Sequence, residues 1–149
     1  METIGYLEPE CDEDVQKIYA SLGVPAQELV HEIAVAMEFD RDEYTDRVDS
    51  AVVRRARDAV FGVLLRISSA SMDRFQSIRA DPMYESYTVV LEGSDNVPNV
   101  AWHVCPVEET IVAATYQDHR DAAIATLRRI AWNRIYVRLL DSEAVRAED

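Results

Sequence analysis

The spacing of apolar residues changes near Pro82, and this change constrains the fold more than any other feature of the chain. Before Pro82, apolar side chains recur every three or four residues, as they do along one face of a helix. After it, residues 86–91 are rich in Tyr, Thr and Val, and residues 99–105 alternate in polarity. The pattern predicts helices first and strands second, which is typical of an α+β protein.

Helices are predicted in the first half at residues 9–22, 25–39, 40–65 and 72–79, with Asp40 as a cap and a second cap at Asp49 or Ser50. In the first of these, Cys11 shares a face with Val15 and is predicted to lie in the core. The second helix should bury one apolar face and expose His31. The residues expected on that buried face are Leu29, Val30, Ile33, Ala36 and Met37.

The second half is predicted to form a small antiparallel sheet and a long C-terminal helix. The serine-rich residues 68–71 are predicted to form a loop, and residues 86–91 a hairpin with residues 99–105. Residues 110–117 favour a third strand, although Pro106 and the two following glutamates could also begin a helix. The last helix should span residues 120–140, followed by a polar, frayed tail at 141–149. All of residues 1–149 are expected to form a single domain, with an acidic, mainly helical part at 1–81 and the sheet and last helix at 82–149.

The charge balance indicates an environment of high salt. The chain has 28 acidic and 15 basic residues, a net charge of −13, and Lys17 is the one lysine. Fourteen acidic and three basic residues stand in residues 1–50, which gives that part a net charge of −11. Salt at about 1 M reduces the screening length to about 3 Å and removes most of the resulting self-repulsion. We therefore expect a halophilic protein.

The sequence also predicts a cytoplasmic protein. It has no apolar run long enough to span a bilayer, and its N-terminus has no basic opening followed by an apolar stretch. The two cysteines, Cys11 and Cys105, are too few for a disulfide framework and have no CxxC spacing. We expect no membrane association.

Sequence motifs for cofactor binding are missing. The four glycines are scattered singly and match neither GxGxxG nor the Walker pattern, and there is no GxSxG or CxxC pair. We therefore assign no cofactor, no metal and no catalytic residue from the sequence.

A candidate pocket nevertheless centres on the strand at residues 99–105. His103 and Cys105 should lie on one face of this strand, within reach of a common metal or of each other, with Asp118 and His119 as the remaining metal ligands. The competing interpretation is a hydrogen-bonded histidine and a buried cysteine in the core. The full candidate set for ligand binding is Asn96, Trp102, His103, Cys105, Tyr116 and Arg128.

Arg128 is the least expected residue of that set, because it stands near the middle of the apolar face of the last helix. A guanidinium in that position requires a partner. The partner could be a carboxylate from another element, or the carboxylate or phosphate of a ligand.

Three other arginines of the last helix, Arg120, Arg134 and Arg138, form a second stripe. This stripe predicts a basic surface that docks on an acidic protein. Nucleic-acid binding is disfavoured, because the helix is too apolar for a groove of DNA and molar salt weakens phosphate contacts.

Five segments of the chain resemble a small uncharacterised protein family of haloarchaea. They are Ala36-Met37-Glu38-Phe39-Asp40, Gly93-Ser94-Asp95-Asn96-Val97, Val100-Ala101-Trp102-His103, Ala113-Ala114-Thr115-Tyr116-Gln117 and Ala125-Thr126-Leu127-Arg128-Arg129. The resemblance covers nearly the whole chain, implies a single domain and strengthens the expectation of a high-salt environment. It implies no activity.

Two functions remain after these exclusions. The leading prediction is a non-enzymatic accessory protein that binds another macromolecule or forms a homo-oligomer. The alternative is a small enzyme or ligand-binding protein with a pocket around His103, Cys105 and Arg128. Convergence of the candidate side chains on one cavity would favour the alternative, and dispersal would favour the accessory protein.

Overall fold

The computed structural model describes residues 1–140, and the predicted frayed tail lies outside them. Within this range the chain forms five strands and seven α-helices. The strands are β1 (Glu2–Ile4), β2 (Ile67–Ser71), β3 (Thr88–Glu92), β4 (Asn99–Cys105) and β5 (Thr110–Tyr116). The helices are α1 (Asp12–Ser21), α2 (Gly23–Ala36), α3 (Arg41–Arg47), α4 (Ser50–Leu64), α5 (Met72–Arg79), α6 (Arg120–Ala131) and α7 (Val137–Leu140).

All five strands join one sheet in the order β1-β2-β4-β5-β3, which confirms the α+β class. The pairs β1–β2, β2–β4 and β4–β5 are antiparallel, whereas β3 runs parallel to β5. The sheet is therefore mixed and not purely antiparallel. Because β1 and β2 come from the first half of the chain, both halves contribute to the same sheet.

The predicted hairpin between β3 and β4 is wrong, because β5 inserts between these two strands. Val89 of β3 pairs with Ile111 of β5, and Val104 of β4 pairs with the same residue from the other side. The four residues from Ile111 to Ala114 are all buried, so β5 occupies the interior of the sheet. The connection between β3 and β4 has to cross two strand spacings, about 10 Å.

The predicted loop at residues 68–71 is also wrong, because these residues form β2. Their backbone groups pair with β1 on one side and with β4 on the other. Ladder pairing at both edges thus overrides the weak strand preference of serine. β1, which the sequence did not indicate, exists because β2 offers it an edge.

Most helices lie where their caps predict. The Asp40 carboxylate accepts from the Glu43 amide at the start of α3, and the Asp49 carboxylate accepts from the Val52 amide at the start of α4. The second cap predicted within residues 40–65 is thereby confirmed. The long last helix is confirmed too, with five residues of π-helix, Trp132–Tyr136, between α6 and α7.

The sheet has a different apolar core on each face. One face packs against α1, α4, α6 and α7 through residues such as Tyr19, Phe61, Leu127 and Tyr136. The other packs against α5 and the 3₁₀ turn at Pro82–Tyr84, with Phe75 and Trp102 in ring contact at 5.1 Å.

Two burial predictions for the first two helices are wrong. Cys11 is exposed because α1 begins one residue later, at Asp12, and Cys11 occupies its N-cap position. In α2 the buried residues are Ala26, Val30 and Ala34, so the small side chains face α4. Of the five residues predicted to be buried, only Val30 is; Ala36 is exposed, and Leu29, Ile33 and Met37 are exposed to 45%, 50% and 59%. His31 is exposed, as predicted.

Candidate binding groove

His103 lies in the middle of a buried chain of hydrogen bonds, on the face of the sheet that packs against the last helix. It projects from β4 toward the last helix and has no exposed surface. Its Nδ1 lies 2.8 Å from the Arg66 carbonyl oxygen, and its Nε2 lies 2.5 Å from the Tyr136 hydroxyl. Because a carbonyl can only accept, Nδ1 carries the hydrogen, and Nε2 accepts from Tyr136.

The surroundings of this histidine keep it neutral. Burial lowers the pKa of His103 to about 4, the Arg66 carbonyl opposes this shift, and the positive charge of Arg128 adds to it. Burial also raises the pKa of Tyr136 and of the Cys105 thiol, which interact with each other. The three groups are therefore uncharged near neutral pH.

His103 and Cys105 both lie against the Tyr136 hydroxyl, and both are sealed in the core. Cys105 has no exposed surface either, so a ligand could reach this pair only after the core opened. In residues 1–140 no group of three or more His, Cys, Asp or Glu side chains is placed to hold a metal ion. The geometry supports a structural role for the pair.

The other candidate side chains disperse over the fold. Trp102 lies on the opposite face of the sheet against Phe75. The Tyr116 hydroxyl is 2.5 Å from the Ser69 hydroxyl at the end of β5, and Asn96 is exposed in the turn before β4. These three do not meet His103 in one pocket.

An open groove does exist on the far side of Arg128, between α4 and α6. It has a volume of about 480 Å³, within the range of small-molecule sites. Its floor and walls are mainly apolar, and its residues come from four elements. They are Ile4 of β1; Asp58, Ala59, Gly62 and Val63 of α4; Asp121, Ile124, Ala125, Arg128 and Arg129 of α6; and Trp132 of the π-helical segment.

Small residues keep this groove open. Ala59 and Gly62 face it from α4, and Ala125 faces it from α6. A Cβ atom added to Gly62 would meet no atom within 4 Å. The glycine is thus not required by packing, and a helical glycine costs about 0.5–1 kcal/mol relative to alanine.

Arg128 is a cation on the wall of the groove with no carboxylate partner in residues 1–140. Its Nη2 donates to the Leu65 carbonyl at 3.1 Å, and its Nε is buried without a hydrogen-bond partner. Burial lowers the pKa of Arg128, because the charged form loses hydration. The chain passes close by at Gly5, just after β1, where a Cβ would lie 3.1 Å from Nη2 and only 2.3 Å from the Leu65 oxygen.

The three arginines of the predicted stripe differ in their surroundings. Arg120 forms an ion pair with Glu2 of β1 and is therefore partly neutralised. Arg134 and Arg138 are exposed on the last helix, and the Arg138 Nε donates to the Arg134 carbonyl at 2.7 Å.

Sequence reasoning identified Arg128 as unusual but missed the groove beside it. Ile4, Ala59, Gly62 and Ala125 carry no chemistry that would single them out. The one available signal was Gly62, an isolated glycine inside a helical pattern, which often marks a close approach or a functional surface.

The fold and this groove define an α+β protein with a ligand-sized apolar cleft between two helices. The chain belongs to DUF5809, a family of unknown function, whose family model matches residues 6–137. No curated protein and no solved structure matches the chain significantly. In residues 1–140, no helix combines the length and apolar composition needed to cross a bilayer.

Proposed function

We propose that this protein is a non-enzymatic accessory protein that works by holding another molecule in the groove between α4 and α6. The observation that carries the proposal is Gly62, whose bare backbone leaves space that folding does not require. The closed state of His103 and Cys105 supports binding over catalysis, because neither side chain can reach a substrate. The ligand pocket expected around His103 and Cys105 is replaced by one on the other side of Arg128.

The proposal is tested with a neutral apolar dye, N-phenyl-1-naphthylamine. Its fluorescence should rise on binding to the wild type. A Gly62→Leu side chain projects into the groove from a Cβ position with no atom within 4 Å, so it should abolish the signal and leave the circular dichroism spectrum unchanged. Gly62→Ala is the matched control, since one methyl group leaves most of the groove open. Equal dye binding by wild type and Gly62→Leu would refute the proposal.

A homo-oligomer is the second candidate, favoured by the exposed apolar side chains of α2 and of Met37, which follows it. Leu29, Ile33 and Met37 follow one another at four-residue spacing and are flanked by Glu28 and Glu32. We propose that a second copy covers them, with its exposed Arg134 and Arg138 opposite the glutamates. Light scattering should then give a dimer or larger assembly in molar KCl, and Ile33→Glu should give a monomer. A monomeric wild type would exclude this candidate.

We further propose that the protein works in a cytoplasm of high salt. The support is compositional: a net charge of −13, a single lysine and a strongly acidic first third of the chain.

A further inference from the structure

We propose that the groove binds a single-chain apolar carboxylate, with the carboxylate paired to Arg128 and the chain lying along the bare surface of α4. This inference rests on the proposed function and adds the chemical class of the ligand.

The charge of Arg128 points to an anion. It is the one charged side chain of the groove that is partly buried and has neither a carboxylate nor a hydroxyl partner in residues 1–140. A partly buried cation that lacks a counter-charge is unfavourable, and a planar guanidinium matches a carboxylate with two parallel hydrogen bonds.

The other charged residues of the groove indicate that this anion carries a single charge. Asp58 accepts a hydrogen bond from the Tyr19 hydroxyl at 2.7 Å, and Asp121 lies 3.9 Å from the guanidinium of Arg120. Arg129 lies on the rim and is exposed. Two acidic and two basic groups thus balance along the groove, and a dianionic phosphate monoester would meet two carboxylates. A monoanion matched to Arg128 meets less repulsion.

The shape and lining of the groove indicate an extended apolar body. Along α6 and into the π-helical segment the lining runs from Asp121 to Trp132, eleven residue steps or about 16 Å of helix. Between these ends the groove exposes Ala59, Val63 and Ala125, with the buried Ile124 beneath them. A flexible hydrocarbon chain can lie along such a surface and bury its methylene groups against it.

The experiment compares decanoate, decanol and decyl phosphate by calorimetry in molar KCl. Decanoate should bind at least tenfold more tightly than either of the others. Arg128→Gln should remove the preference over decanol, whereas Arg134→Gln, which makes the same charge change on an exposed site of the same helix, should retain it. Arg128→Lys keeps the positive charge but loses the planar pair of N–H donors, so it should bind decanoate with intermediate affinity. This variant also provides a second test in case Arg128→Gln folds poorly.

Tryptophan fluorescence can show whether decanoate binds in the groove. In a Trp102→Phe background Trp132 is the remaining tryptophan, and it lines the groove, so decanoate should shift its emission. Gly62→Leu should abolish that shift.

The outcomes separate the two proposals. If decanoate and decanol bound with equal affinity and both were lost in Gly62→Leu, the inference of a carboxylate ligand would be overturned. The proposal that the groove is a binding site would stand. Failure of every apolar probe, the neutral dye included, would overturn both. Tighter binding of decyl phosphate, or binding to anionic vesicles without binding to free decanoate, would overturn this inference in favour of a phosphate or a membrane surface.

Discussion

At the scale of single residues, burial decides the chemistry of His103. The ring is in the core, its two nitrogens have fixed partners, and its pKa is lowered to about 4. Since an unfolded histidine titrates near 6.5, the unfolded chain binds a proton at mildly acidic pH that the folded chain does not.

This difference predicts a pH dependence of stability. The free energy of unfolding should fall as pH decreases from about 6.5 to about 4, by about 3 kcal/mol in total from this residue. Below about 4 the loss should level off, because both states then bind the proton. The check is denaturant unfolding between pH 7 and 4.5 for wild type and His103→Gln. The two curves should converge as pH falls; parallel curves would show that His103 does not titrate in this way.

At the scale of elements, the two ends of α4 differ in how far their residues stabilise the helix. Its start is fixed by the Asp49 cap, while its last turn carries Gly62, which leaves the groove open. The helix is therefore less stable than it would be with alanine at position 62, and this loss of stability is confined to its last turn.

Gly62→Ala should raise the free energy of unfolding by about 0.5 kcal/mol, because alanine restricts the unfolded chain and touches nothing in the folded one. Thermal unfolding of the wild type and the variant in molar KCl measures this difference in stability. Gly5→Ala is the contrasting variant: φ is +71° there and the new Cβ would meet the Leu65 carbonyl, so stability should fall. Destabilisation by Gly62→Ala would mean that the groove is not open in solution.

At the scale of the whole molecule, the acidic charge is unevenly distributed. Residues 1–50 contribute most of it and form β1, α1, α2 and α3, of which α1 packs on the same face of the sheet as α4 and α6. Repulsion within this part opposes folding at low ionic strength.

Raising KCl from about 0.1 M to about 1 M shortens the screening length from about 10 Å to about 3 Å and should raise the melting temperature. Circular dichroism at both concentrations measures the change. Sodium sulfate at equal ionic strength is a useful comparison, because it separates screening from effects on apolar burial. A melting temperature that does not depend on salt would contradict the halophilic interpretation.

The sequence by itself determined the helices, the existence of strands after Pro82 and the α+β class, because caps and apolar periodicity act within a few residues. It also identified Arg128 as a cation that needs a partner. The order of the strands was decided only in three dimensions, since β5 takes the interior of the sheet by burying Ile111 to Ala114. The same is true of the groove: α4 and α6 are separated in the sequence by residues 65–119, and the open space beside Gly62 exists only where the fold brings them together.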